Sequence, residues 1–116
     1  FTLSKNIPTN TFSFGGEWMV DSEYSKAGKN AVLEYKFFAS KVFLVMKPSS
    51  LKAGEIKVYL DAKLIDNLNS GIDVENGIVA VDKDRLYNLV ELKNAESHLL
   101  RLEFSEGIEI FAFTFG

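Results

Sequence analysis

Residues 31–47 read AVLEYKFFASKVFLVMK, and the fold class turns on how this run alternates. From Ala31 to Ala39, Leu33, Tyr35 and Phe37 fall on one face while Glu34 and Lys36 fall on the other, the period of two expected of a half-buried strand. Ser40-Lys41 reads as a tight connection to the next run. There Val42, Leu44 and Met46 face one way and Phe43 and Val45 the other, so the strand Lys41 to Lys47 is apolar on both sides and belongs in the middle of a sheet. Pro48-Ser49-Ser50 ends it.

The same pattern extends in both directions. Upstream, after a polar lead with Pro8, Thr11 to Met19 alternates loosely around Phe12, Phe14 and Trp18, with Gly15-Gly16 as a bulge or bend between two short strands. Asp21 to Asn30 reads as a loop. Downstream, Gly54 to Asp61 places Ile56, Val58 and Leu60 inward against Lys57, Tyr59 and Asp61. Ala62 to Asn76 reads as a long loop with room for a single helical turn. Short strands follow at Gly77 to Val81, Leu86 to Leu92, His98 to Phe104 and Ile108 to Phe115, separated by charged or Gly-bearing turns. The expected fold is therefore all-β, a two-sheet antiparallel β-sandwich of the jelly-roll type with about eight strands.

Composition agrees with one such domain spanning residues 1–116. The chain is 47 % hydrophobic and 13 % aromatic, with ten phenylalanines and two prolines, a mixture that favours strands over helices and argues against disorder. A chain of this length buries roughly two-thirds of its unfolded surface, so it needs no metal or disulfide to fold. The formal charge of −3 offers no basic field for phosphates, which makes nucleic acid and anionic membrane surfaces poor partners. Without cysteine there is no disulfide, thiolate metal site or thiol redox chemistry in the chain. No apolar run approaches the ~18 residues of a membrane span. Starting at Phe1 with no methionine or leader, the sequence reads as a fragment or processed product.

Catalytic constellations are missing. The single histidine, His98, sits in the strand pattern His98-Leu99-Leu100-Arg101-Leu102 without a partnered nucleophile, and a structural role is expected of it. Asp82-Lys83-Asp84 and the loop bearing Asp66 and Asp73 offer carboxylates to calcium, but calcium needs about six or more oxygens, and a solvated hairpin turn is the simpler reading. No catalytic residue, cofactor or metal is expected. Trp18, Tyr24, Tyr59 and Tyr87 supply flat apolar faces with polar tips, the combination that suits a sugar's C–H face, while tryptophan is also a common core residue. Arg85, just before Leu86-Tyr87, is placed to orient a carboxylate or stack on a ring. Trp18, Tyr59, Arg85 and Tyr87 are the ligand-binding candidates. In the last run, Phe111, Phe113 and Phe115 fall on one face and Ile108, Ile110, Ala112 and Thr114 on the other. With Lys41 to Lys47, this strand leaves an apolar outer face that a partner, a groove or a loop must cover.

Several stretches resemble the C-terminal domain that follows a thioredoxin-like domain in the DipZ and TlpA-type thiol:disulfide interchange proteins. They are Gly16-Glu17-Trp18, Lys41 to Met46, Val58-Tyr59-Leu60-Asp61, Asp73-Val74, Arg85 to Val90, His98 to Leu102 and the ending Phe111-Ala112-Phe113-Thr114-Phe115-Gly116. The Arg-Leu-Tyr strand and the Phe-Thr-Phe-Gly ending are the most specific. One departure is Ala62, where the family's turn is expected to carry glycine. The resemblance implies a jelly roll similar to carbohydrate-binding modules, joined outside the cytoplasm, in the periplasm, to a thioredoxin-like domain that carries the Cys-x-x-Cys pair and serves cytochrome c biogenesis.

Two functions fit. As an accessory binding module, the domain recognises a carbohydrate or similar neutral ligand through an exposed aromatic strip. As a docking module, it packs apolar outer strands on the thioredoxin-like domain or on a second copy.

Overall fold

The structure, a computed structural model, describes residues 12–21, 24–48 and 53–116. Pro8, Thr11 and Ser49-Ser50 of the sequence reading lie outside these residues. Among the described residues there is no helix, and nine strands account for the regular structure: β1 Phe12–Gly15, β2 Trp18–Val20, β3 Ser25–Ala27, β4 Val32–Lys47, β5 Gly54–Leu60, β6 Lys63–Leu64, β7 Ile78–Val81, β8 Arg85–Phe104 and β9 Glu109–Phe115. All pairings are antiparallel.

Two long strands, β4 and β8, make the sandwich. Their first and second halves pair separately: Val32 to Ala39 with Glu96 to Glu103, and Lys41 to Met46 with Arg85 to Glu91, with a register shift between Ala39 and Lys41. Such a shift bends both strands and re-aims their side chains. Each strand therefore serves both layers. The first sheet holds β1, the N-terminal half of β4, the C-terminal half of β8, β5, β6 and β7. The second holds β2, β3, β9 and the remaining halves of β4 and β8. Continuity through the corner corrects two expectations: Ser40-Lys41 is not a connection between strands, and Leu86 to Leu92 and His98 to Phe104 are one strand. At the corner the backbone N–H groups of Ser40 and Lys41 donate to the Gly116 carbonyl at 3.0 and 3.2 Å, so Gly116 replaces the ladder partners that the bend removes.

The core follows the alternation read from sequence. Leu33, Tyr35, Phe37 and Ala39 are buried from one half of β4, and Val42, Leu44 and Met46 from the other. The parity changes at Ser40 because a one-residue slip exchanges the faces. Leu100, Leu102, Ile56, Val58, Val79 and Val81 complete one wall, Tyr87, Val90 and Ile110 the other, in a single cluster. Burying each such aliphatic side chain stabilises the fold by about 1.5–3 kcal/mol.

The connections depart further. Asp21 to Asn30 contains β3, three residues that gain strand geometry by pairing with β2 and β9. In place of the expected helical turn, the segment 62–76 contains β6 and two isolated bridges, Ser70 to Val90 and Glu75 to Ile78. It packs closely on β8, where a Cβ on Gly71 would lie 2.2 Å from Asn88 Oδ1. Asp82 to Asp84 is no hairpin turn: β7 pairs with β5 and not with β8, so these residues carry the chain from the first sheet to the second.

Candidate functional site

A cleft of about 450 Å³ opens between the two sheets beside β9. Phe14 and Tyr35 line it from the first sheet, Phe111, Phe113 and Phe115 from β9, and Tyr24 from the approach to β3. Asp21 and Ser25 add polar atoms at the wall.

A backbone irregularity sets this geometry. Between Val45 and Met46 the register with β9 slips, Val45 facing Ala112 and Met46 facing Ile110. Phe111 is the extra residue, and the bulge changes which side chains point inward. Ile108 and Ile110 are buried ahead of it. Past it Phe113 and Phe115 turn towards the first sheet, their centroids 5.6 and 5.2 Å from the Tyr35 ring, both near perpendicular. Phe113 and Phe115 lie almost parallel, 6.0 Å apart. Phe111 keeps to the rim, 39 % exposed, with Tyr24 tilted against it at 5.8 Å. The sequence reading placed all three phenylalanines on one face and both faces under cover; the bulge separates Phe111 from the other two, and Ala112 and Thr114 stay exposed.

The cleft combines aromatic faces with a single carboxylate, Asp21, at its wall. Burial pushes the Tyr35 phenol above its ordinary pKa, which keeps the hydroxyl protonated as donor and acceptor. Walls of aromatic carbon offer dispersion and C–H contacts, and the few oxygens can set orientation.

The four sequence candidates do not form one site. Trp18 is half-buried: its Nε1–H donates to the Gly15 and Val32 carbonyls at 2.9 and 3.2 Å, and its ring meets Phe14 and Phe104 edge-on, 5.1 Å from each. Both contacts bind β2 to the first sheet. Tyr87 is fully buried. Its hydroxyl donates to the Lys83 carbonyl at 2.6 Å and accepts from the Lys83 N–H at 3.1 Å. That burial corrects its assignment as a surface platform, because a ring without exposed area cannot meet a ligand. The Arg85 guanidinium lies 3.9 Å from the centroid of the Tyr87 ring and pairs with Asp73 at 2.8 Å. Burial would raise the Asp73 pKa, but hydrogen bonds from Arg85 and the Asn88 N–H outweigh it and hold the carboxyl below its usual range. Arg85 thus closes the 62–76 segment on β8. Tyr59 faces outward on the first sheet, opposite Arg101 and Leu64, half-buried and distant in the topology from Arg85.

His98 sits at the end of the inward row of β8, with Asp61 on Nδ1 and Glu96 on Nε2, the latter at 3.0 Å. Burial alone would lower its pKa; the hydrogen bonds and charges of Glu96 and Asp61 outweigh that and raise it. Among the described residues no three of His, Asp or Glu gather as a metal would require.

A family model described as thioredoxin-like C-terminal domain matches residues 1–116. No curated protein sequence matches the chain. Among solved structures, a family two carbohydrate esterase from Clostridium thermocellum in complex with cellohexaose is similar at TM-score 0.70 and 16 % identity, over 91 % of this chain and 31 % of its own. A family two carbohydrate esterase from Cellvibrio japonicus matches at TM-score 0.68 and 14 % identity, over 90 % of this chain and 30 % of its own. The chain thus spans about a third of these enzymes, and similarity at such identity speaks for a shared sandwich fold.

Proposed function

Because the chain belongs to the thioredoxin-like C-terminal domain family, we propose that it is a non-catalytic accessory module that binds a carbohydrate or similar neutral ligand beside a thioredoxin-like domain of the same parent protein. The parent, on this reading, is an extracytoplasmic thiol:disulfide interchange protein of the DipZ type, of the kind that serves cytochrome c biogenesis, and it carries the redox cysteines that this chain lacks.

The observation that carries the reading is the aromatic cleft. Its volume of about 450 Å³ lies within the range of small-ligand sites, and aromatic side chains with polar groups among them are a usual lining of such sites. A pyranose ring has apolar C–H faces and a hydroxyl rim, which match Tyr24 and the β9 phenylalanines on one side and Asp21, Ser25 and the tyrosine hydroxyls on the other. The resemblance in fold to an esterase solved with cellohexaose makes that oligosaccharide a natural first probe.

The test is calorimetric titration of the domain with cellohexaose, xylohexaose and maltohexaose, repeated with Phe111→Ala and Tyr24→Ala. Saturable binding that falls at least about tenfold in folded variants, the loss of one aromatic platform, supports the reading. Binding unchanged in both variants removes the cleft as the site.

One observation favours docking as a second reading. Leu68 and Ile72 in the 62–76 segment are 90 % and 88 % exposed, and Leu86 on the outer face of the second sheet is 45 % exposed. A blank glycan titration together with association with the thioredoxin-like domain, abolished by Ile72→Asp, would favour it.

A further inference from the structure

The outer face of the first sheet carries a second concavity, built without the cleft residues. Register sets its rows. Glu34 on β4 lies opposite Arg101 on β8, and Arg101 opposite Tyr59 on β5; Val32, Glu103 and Lys57 form the neighbouring row. Directly opposed residues share a face. Leu33, Leu100, Leu102 and Val58, one position away along each strand, are fully buried, so both rows point away from the core. A depression of about 490 Å³ lies over Arg101 and the row of Val32, Glu103 and Lys57, its polar lining drawn from Asn30, Glu55, Lys57, Arg101, Glu103 and Ser105, with Glu34 and Tyr59 beside it in the Arg101 row.

Arg101 is the centre of this surface. Its Nη1 lies 3.7 Å from Glu34 Oε2, on a side chain only 13 % exposed, and its Nε 3.4 Å from Glu103 Oε2. Two carboxylates thus hold the guanidinium from either side, but both contacts are longer than a good hydrogen bond. Among the described residues Nη2 has no partner, so donors remain for a ligand. Among the residues lining the depression the charges balance, Glu55 and Glu103 against Lys57 and Arg101, with Glu34 paired to Arg101, so no strong field of either sign draws a charged ligand. Hydroxyl groups fit, since each both donates to a carboxylate and accepts from a guanidinium or ammonium group. The half-buried Tyr59 ring beside Arg101 supplies a flat face, and adjacent strands lie about 4.8 Å apart, so the row from Glu34 to Tyr59 is a short linear track.

We infer that this face is a binding site for a neutral oligosaccharide lying across β4, β8 and β5, with Arg101, Glu103 and Lys57 on its hydroxyls and Tyr59 under one ring. The inference rests on the proposed ligand class but assigns a different site.

Amide chemical shifts followed during titration with cellohexaose, xylohexaose and maltohexaose separate the two sites. At least one hexaose is expected to shift residues 57–59 and 101–103. The affinity read from these shifts should fall about tenfold or more in Arg101→Met and in Glu103→Gln, the loss of a charged hydrogen-bonding group. Raising salt from about 50 to about 500 mM should leave it nearly unchanged, because a neutral ligand is not screened. Thermal melts confirm that each variant folds. Shifts confined to residues 24–25 and 110–115, with loss in Phe111→Ala alone, would uphold the cleft and overturn this site. Steep salt dependence would mean a charged partner and overturn it too, and a panel without any binding would overturn both.

Discussion

Replacing Ala62 by glycine should stabilise the domain, although no contact is added. Asp61 and Ala62 are the two central residues between Leu60 and Lys63, which pair across the β5–β6 hairpin, and their φ angles are +52° and +70°. Positive φ at both positions is the type I′ turn that two-residue hairpins favour, and its second position prefers glycine. An L-residue in this region costs about 1–2 kcal/mol, while glycine loses about 0.5–1 kcal/mol more chain entropy on folding. The Ala62 methyl is exposed, so its removal leaves the core intact. Nor is the Asp61 carboxylate disturbed: Oδ1 still accepts the Leu99 N–H at 2.9 Å. The difference leaves a net gain of about 0.5–1 kcal/mol, worth a rise in Tm of about 2–4 °C in a domain of this size. Thermal and urea unfolding by circular dichroism measure it, with the urea midpoint expected to rise at constant slope. Ala62→Val should move the other way, since a β-branched residue tolerates positive φ poorly. A lower Tm for Ala62→Gly, or an unchanged Tm for Ala62→Val, would refute the strained turn.

Two further outcomes follow from the hydrogen bonds. Tyr87→Phe leaves both backbone groups of Lys83 without the hydroxyl that they share in the turn joining the sheets, and should cost about 1–3 kcal/mol in urea unfolding; a loss within measurement error would mean that water replaces it. The His98 cluster should make stability pH-dependent. Its raised pKa, with Asp61 and Glu96 as partners, gives stabilisation that is complete below the unfolded value near 6.5 and disappears as pH rises through the folded one. Burial would raise the Asp61 pKa, but hydrogen bonds from Leu99 and His98 outweigh it, so its contribution is present above the unfolded value near 3.9 and is lost on acidification. Stability from this pair should therefore peak between about pH 4 and about 6.5, and His98→Gln should flatten the decline on the alkaline side. An identical decline in the variant would assign it elsewhere.

The sandwich was legible because most of its strands are half-buried, and half-burial writes a period of two into the sequence. Leu33, Tyr35 and Phe37, and Ile56, Val58 and Leu60, are inward as their alternation requires. What alternation cannot do is tell a bend from a break. At Ser40 the inward set passes from odd to even positions, and a turn between two strands would leave the same trace; only the pairing of β4 with β8 on both sides of the corner distinguishes them. β3 left no trace at all. Ser25-Lys26-Ala27 is polar and short, and its strand geometry comes from two neighbours that sequence does not place beside it.

For the candidate sites, the same parity argument explains both what was missed and what could have been found. Tyr87 and Trp18 were chosen by residue type, and residue type does not report burial: one is sealed in the core by its hydroxyl and the other is held by two carbonyls. The aromatic cleft depends on a bulge at Phe111 that no local residue announces, since Glu109 to Phe115 would alternate smoothly without it. The outer face of the first sheet is different. In His98 to Glu103 the leucines at 100 and 102 alternate with Arg101 and Glu103, and in Gly54 to Leu60 Ile56 and Val58 alternate with Lys57 and Tyr59. Two strands with inward aliphatics must present their intervening side chains on one common surface once they pair. The sequence therefore held both halves of that surface, and what it lacked was the register that sets Arg101 opposite Tyr59 and Glu103 opposite Lys57. Register comes from long-range pairing across some forty residues of chain, and local pattern carries no record of it.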